Sequence, residues 1–387
     1  MITADQLQTI LSFQPDSAPI TTLYLSFDEE AKKQKQHKIM LKDLFRYKTE
    51  KTYFKNLSEN AQKSVRDDFD RIEDYITMEY GQDAGSKSIA VYSCSAEDLW
   101  ETMHFNVPME TSMVVNPHPY LRPLVEAASE HRNYAIILID RSKAAILEVR
   151  LGRVIEHVRV REEDMPDQVK EGNFGGTSER RIERHINDHV HQHLKDVAEK
   201  AMELQQAHDY KWVYIGGRQE IINEFKNHLH SYVKERLLGQ IVVEPHAPIE
   251  EVLEKASQAE EQSRQEYEQQ RLEQLSDEIG SRQRGIGGLT AILHAQQRGQ
   301  VETLLIQEDF SRKGFFCREC YYLTTNKDQK TCPIDGSQLY RTPDVVDNLI
   351  LNVLKQGGAA ETLFTGMEEF DGIGAFLRYP MQQQQSQ

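Results

Sequence analysis

Three groups of residues have the types and spacing to do chemistry. In "CRECYYLTTNKDQKTCPIDG", Cys317 and Cys320 form a CxxC knuckle, and Cys332-Pro-Ile-Asp335-Gly resembles a second knuckle whose last ligand is a carboxylate. Thiolates at this spacing grip a tetrahedral zinc, and zinc also accepts carboxylate oxygen, although all-thiolate and Cys/His sets are the commoner structural sites. The expectation is one structural Zn held by Cys317, Cys320, Cys332 and Asp335, set against a ribbon that has lost its metal and is held by packing alone. The second group lies in "SERRIERHINDHVHQHLKDVAEKAMEL", where Arg181, His185, His189 and His193 recur every four residues and so share a helix face, with His191 elsewhere on the circumference. Histidines one turn apart can share a metal, but no HExxH is present, so polar packing or RNA contact is preferred to a metal-dependent hydrolase. The third is "NFGGTSERR", residues 173 to 181: a Gly-Gly tip permits a tight backbone approach, and the arginines behind it suit an anionic place. Ser178 reads as a helix cap rather than a nucleophile.

Charge sharpens the picture. The 387 residues carry 62 acidic and 46 basic side chains, a net charge of -16, which argues against nucleic-acid binding over the whole surface. Yet "KKQKQHKIMLKDLFRYKTEKTYFK", residues 32 to 55, holds eight lysines and one arginine against Asp43 and Glu50, a local +7. Such segregation suggests a phosphate-contacting surface built on Lys32, Lys33, Lys35, His37, Lys38, Lys42 and Arg46, against the plainer reading of a solvated amphipathic helix. Tyr47, Tyr53 and Phe54 would either stack on bases or belong to the core. Lone Cys94 in "AVYSCS" reads as a small core residue. The start of the chain lacks a signal-peptide pattern and no stretch reaches a membrane-spanning length, so a cytoplasmic protein without membrane attachment is expected.

The elements that position these groups alternate between strand and helix. Strands are expected at 21–27, 88–94 and 104–109, then at 134–140, 144–150 and 154–160, and later at 212–217, 240–245, 301–307 and 374–379. A long helix should run from about 178 to 206, and another, rich in acids, from about 249 to 279. The Gly-rich "GIGG" at 285–288 is weak as a nucleotide-binding loop because no strand precedes it. The glutamine-rich end, "MQQQQSQ", reads as a low-complexity tail. An α/β fold follows, divided into three domains: 1–128, 129–245 with the glycine loop, and 246–387 with the cysteine ribbon at 315–340.

Taken together, the glycine-tipped loop before an arginine-rich helix, the strand ending in glycine, and "GQVETLLIQEDF" ahead of a cysteine ribbon resemble the archaeal and eukaryotic class-1 release factors and Pelota. "YLRPLVEAASEHRNYAIILIDR" and "GIGAFLRY" resemble in particular the bacterial branch of that superfamily, which includes ribosome hibernation factors. The resemblance implies a three-domain architecture with a small zinc-ribbon-like insertion in the third domain. It also implies that Phe174, Gly175, Gly176, Thr177, Ser178, Arg180, Arg181, Arg184 and His185 reach into the peptidyl-transferase centre. Gly175 and Gly176 match the Gly-Gly-Gln tip of release factors, while Thr177 stands where the family has glutamine, and the Asn-Ile-Lys-Ser decoding motif is missing. The expectation is a non-enzymatic, tRNA-shaped hibernation factor filling the A site, with peptide release or ribosome rescue as the alternative. The implied partners are the 70S ribosome through its 23S and 16S rRNA, with the 32–55 stretch on the decoding side, and elongation factor Tu or another translational GTPase. The factor would be a monomer when bound.

Overall fold

Residues 4–27, 36–79, 86–161, 177–243, 247–281 and 283–380 are described by a computed structural model. They form two compact units: Met1–Glu130 together with Glu268–Gln387, and His131–Tyr267. The glutamine-rich end, 381–387, lies outside the described residues.

The first segment of the discontinuous unit runs α1 (Ala4–Ser12), β1 (Ile20–Ser26), α2 (Gln36–Glu50), α3 (Thr52–Lys55), α4 (Glu59–Glu79), β2 (Ser88–Cys94), β3 (Leu99–Phe105), β4 (Ser112–Asn116) and α5 (Arg122–Glu130). Its antiparallel sheet has the order β3-β2-β1-β4. The central strands β1 and β2 are buried almost throughout, which is why they read as apolar runs rather than alternations. Leu41 and Phe45 of α2, with Val65, Phe69 and Ile72 of α4, pack on Leu23, Leu25, Ile89 and Val91. The rings of Phe45 and Phe69 stack at 4.3 Å. Buried Asp68 ties α4 to the sheet by accepting hydrogen bonds from Thr21 Oγ1 at 2.8 Å, Ser93 Oγ at 2.7 Å and the Ser95 backbone N–H at 2.7 Å. The strand expected at 104–109 is corrected to 99–105, where every residue from Leu99 to Phe105 pairs with β2.

The second unit contains β5 (Tyr134–Ile139), β6 (Lys143–Arg150), β7 (Arg153–Arg161), α6 (Thr177–His208), β8 (Trp212–Gly217), α7 (Gln219–His228), α8 (Ser231–Lys234) and β9 (Leu237–Ile241). The sheet order is β7-β6-β5-β8-β9, antiparallel through the β5–β7 meander and parallel from β5 to β8 to β9. Alternate residues of β5 serve two cores. Ala135, Ile137 and Ile139 meet Val190, Leu194, Val197 and Ala201 of α6, whose spacing forms one helical stripe. Tyr134 and Ile136 instead join Trp212, Tyr214, Val252 and Ala256 on the other face. Gly217 has φ +147°, and a Cβ there would lie 2.2 Å from the Ile139 carbonyl oxygen, so the position requires glycine. The last strand occupies 237–241, upstream of the expected 240–245.

The remaining elements are α9 (Ile249–Gly280), β10 (Gly285–Gly287), α10 (Leu289–Gln297), β11 (Val301–Gln307), β12 (Gly314–Phe316), β13 (Leu323–Thr324), β14 (Tyr340–Thr342), α11 (Val345–Lys355), β15 (Ala359–Leu363) and β16 (Ile373–Leu377). One sheet has the order β10-β16-β11-β15, with β11 and β15 parallel, and the small ribbon has β13-β12-β14. Within "GIGG", Gly285 serves packing: it sits in β10, where a Cβ would meet the Ile279 backbone nitrogen at 2.7 Å. The two chain segments of this unit share buried polar contacts. Arg122 reaches Asp344 and Asp347, and Ser129 Oγ accepts the backbone N–H of Thr362 at 2.8 Å.

Candidate metal centre and basic groove

The ribbon brings Cys317, Cys320, Cys332 and Asp335 together, one ligand atom from each lying within 4.8 Å of the others. Two turns do this. Cys317 N–H bonds the Tyr322 carbonyl at 2.8 Å and closes the first knuckle, with Tyr321 at φ +59° in its tight return. Cys332 N–H bonds the Ser337 carbonyl at 2.8 Å, and Gly336 at φ +74° closes the second. Cys320 Sγ lies 3.3 Å from Cys332 Sγ, and Cys317 Sγ lies 3.4 Å from Asp335 Oδ2. Burial first and the Cys332 thiol next push the Cys320 thiol up, while hydrogen bonds from the Ser337 side chain and backbone hold Asp335 well below the usual carboxylate range. Three thiols and an ionised carboxylate crowded in this way suit a cation, which would let the sulfurs ionise. The donor set fits one zinc, with the second knuckle's carboxylate as fourth ligand.

An open groove of about 920 Å³ lies beside the ribbon in the same unit. It is lined from one side by Tyr47, Lys48, Lys51 and Tyr53, and from the other by Arg318, Tyr340 and Arg341. Tyr47 and Tyr53 are exposed, whereas Phe54 is buried in the core. Lys51 Nζ sits 3.9 Å from the Tyr47 ring centroid, and the Arg318 guanidinium 4.2 Å from that of Tyr340. Among the described residues these four cations have no carboxylate partner, and the groove's Asp344 and Asp347 are engaged by Arg122. Arg318 and Arg341 escaped the sequence reading; the only local signal was the place of Arg318 next to a knuckle cysteine.

The residues expected on the decoding side behave differently. Lys32, Lys33 and Lys35 lie outside the described residues, and His37 lies in α2 with its side chain outside the description. Lys38, Lys42 and Arg46 are on α2, where exposed Lys42 pairs with Glu73 at 3.5 Å and Arg46 with Asp43 at 2.9 Å. Of the glycine loop, Phe174, Gly175 and Gly176 lie outside the described residues. Thr177, Ser178, Arg180, Arg181, Arg184 and His185 occupy the first turns of α6, with their side chains outside the description. Farther along α6, His189 is exposed but His193 is buried, so the face drawn through steps of four enters the core there. Cys94 is fully buried in β2, with its thiol pushed up to about 11 by burial, then by Asp68 and Glu97.

A second polar cluster fastens the middle sheet. Buried Glu148 of β6 meets Arg150 at 2.6 Å, His157 of β7 at 2.7 Å and His208 at the end of α6 at 3.4 Å.

The family profile of "Bacterial archaeo-eukaryotic release factor family 10" matches residues 119–261. Peptide chain release factor subunit 1 of Methanocaldococcus jannaschii is 28% identical over 321 residues, covering 71% of this chain and 75% of the relative. The same factor of Thermococcus onnurineus is 27% identical over 292 residues, covering 67% and 69%. Archaeoglobus fulgidus Pelota, a crystal structure, aligns over 76% of this chain and 80% of its own, at 18% identity and a TM-score of 0.34.

Proposed function

The chain belongs to the archaeo-eukaryotic release factor superfamily, and from that membership we propose that it is a ribosome-binding, tRNA-mimicking factor that fills the A site and keeps the 70S ribosome idle. It would reach from the 16S rRNA of the decoding centre to the 23S rRNA of the peptidyl-transferase centre without hydrolysing peptidyl-tRNA. The observation that carries the reading is Thr177, which follows Gly175-Gly176 where release factors have glutamine. A glutamine amide can both donate and accept hydrogen bonds at the end of a flexible stem. Threonine offers only a short β-branched hydroxyl, which stiffens the tip and stops short of the reacting ester. Its backbone N–H remains a donor, enough for docking and short of a full hydrolytic apparatus.

Other features support an RNA-facing role in an acidic protein. The cations and exposed tyrosines of the ribbon groove can hold phosphates and stack on bases. One zinc in the ribbon would be structural. Elongation factor Tu or another translational GTPase is the proposed protein partner, and the factor acts as a monomer in the cytoplasm. No helix among the described residues is long and apolar enough to cross a membrane.

The competing reading is peptide release or ribosome rescue, favoured by the activity that the M. jannaschii relative's name records. One experiment separates them: binding and peptide release are followed in the same samples, with vacant ribosomes and with ribosomes carrying peptidyl-tRNA, each with and without elongation factor Tu. Tight binding to vacant ribosomes with no release supports hibernation, and turnover of peptidyl-tRNA overturns it. Thr177→Gln sharpens the result, since it should create release only if the native threonine is what prevents it.

A further inference from the structure

We propose that His191, Glu224 and His228 form a binding site for a divalent transition metal of the zinc, cobalt and nickel type, bridging α6 and α7. One ligand atom from each of the three lies within 4.8 Å of the others. Glu224 and His228 stand one turn apart on α7 and so project from the same face, while His191 comes from the neighbouring helix. The two imidazole rings meet edge to face, with centroids 4.5 Å apart at 79°. Neither ring hydrogen-bonds a described residue, so their nitrogens are not committed to holding the fold together. Two imidazoles and one carboxylate are a borderline nitrogen and oxygen donor set, which takes such ions with positions left open for water.

The surrounding charge is compatible with a cation. Lys195 of α6 is the opposing charge, and its ammonium lies 3.8 Å from Glu199. A metal here would clip α6 to α7 on the helix that begins at Thr177, directly behind the glycine loop. The site is chemically distinct from the cysteine ribbon because it holds no sulfur, and it stands independently of the proposed ribosomal role.

Cobalt(II) distinguishes the two sites. Titrated anaerobically into metal-free full-length protein, it should give sulfur-to-metal absorption from the ribbon if that fills, together with a separate equivalent that shows only weak visible bands. H191A/H228A should lose that separate equivalent, keep the ribbon absorption and retain an unchanged circular dichroism spectrum. H191C should move the equivalent into the sulfur-absorbing class, which ties it to this position even if the double variant were to fold poorly. Zinc should raise the thermal midpoint of C317S/C320S protein, and this shift should vanish when H191A/H228A is added. Cobalt uptake confined to thiolate-type absorption, or equal metal stoichiometry in parent and H191A/H228A, overturns the proposal.

Discussion

Arg122 Nη2 lies 2.8 Å from Asp344 Oδ2, joining residues 222 positions apart in the chain. The same guanidinium reaches Asp347 Oδ1 at 3.0 Å and the Phe310 carbonyl at 2.8 Å, so one buried cation fastens the N-terminal segment of its unit to the C-terminal one. Arg122→Ala removes the cation that two largely buried carboxylates share, leaving Asp344 only its backbone donors from Arg312 and Val346. The expected loss is about 3–5 kcal/mol, read from denaturant unfolding of the full chain.

The same cluster sets a pH dependence. Two carboxylates share one guanidinium, and the Asp347 carboxyl is pushed up to about 7 by burial, then by Asp344, with Arg122 opposing. In the unfolded chain an aspartate titrates near its ordinary value of about 3.9. Between these values the folded state holds a proton that the unfolded state has lost, so this group's contribution to stability falls as pH rises from about 4 to about 7. Glu126, also pushed up to about 7 by burial, acts in the same direction. Asp347→Asn should flatten the decline, and thermal midpoints of parent and variant taken from pH 5 to pH 8 test it, with the variant gaining most at the alkaline end.

Zinc removal should loosen the ribbon. In metal-loaded protein Cys317, Cys320 and Cys332 are expected to resist a thiol reagent, and chelation should expose all three, while buried Cys94 stays unreactive until the fold opens. Cys332→Ser should lower zinc content by one equivalent and reduce the thermal midpoint, both measured on the purified protein by elemental analysis and calorimetry.

Gly217→Ala is expected to destabilise the middle unit by about 2–3 kcal/mol. The added Cβ would meet the Ile139 carbonyl oxygen at 2.2 Å, and a strand backbone cannot yield as a side-chain tip can. Replacing Gly299, which also has positive φ but nothing within 4 Å, isolates the conformational cost from the clash. Urea midpoints of the two variants should differ, with Gly217→Ala the lower.

The α/β class was legible because β5 and β8 are short apolar runs bounded by turns and because α6 carries its apolar residues at helical spacing. Helix α11 went unread although Asn348, Asn352 and Lys355 recur at helical spacing; in the fold Asn348 and Asn352 are buried together with Val345, Val346, Leu349, Ile350, Leu351 and Val353. Strand β4 lay hidden next to Pro117 and Pro119, which read as loop. The ribbon ligands could be found because knuckle spacing is local. The groove could not, since Tyr47 and Lys51 meet Arg318 and Arg341 only through tertiary packing. On α6 the stripe of Val190, Leu194 and Val197 fixes which face turns inward, and it takes His193 with it while leaving His191 to meet His228.

Because the unit containing Arg122 is interrupted by residues 131–267, its assembly depends on the order in which the chain is made. At about 5–20 residues per second, Asp344 leaves the synthesising ribosome roughly 10–40 s after Arg122 has done so. During that interval α5 carries a guanidinium whose partners do not yet exist, and the intervening β5–β9 unit has time to fold first. The Arg122 contact can thus close only after the intervening unit and the chain as far as Asp344 have been made.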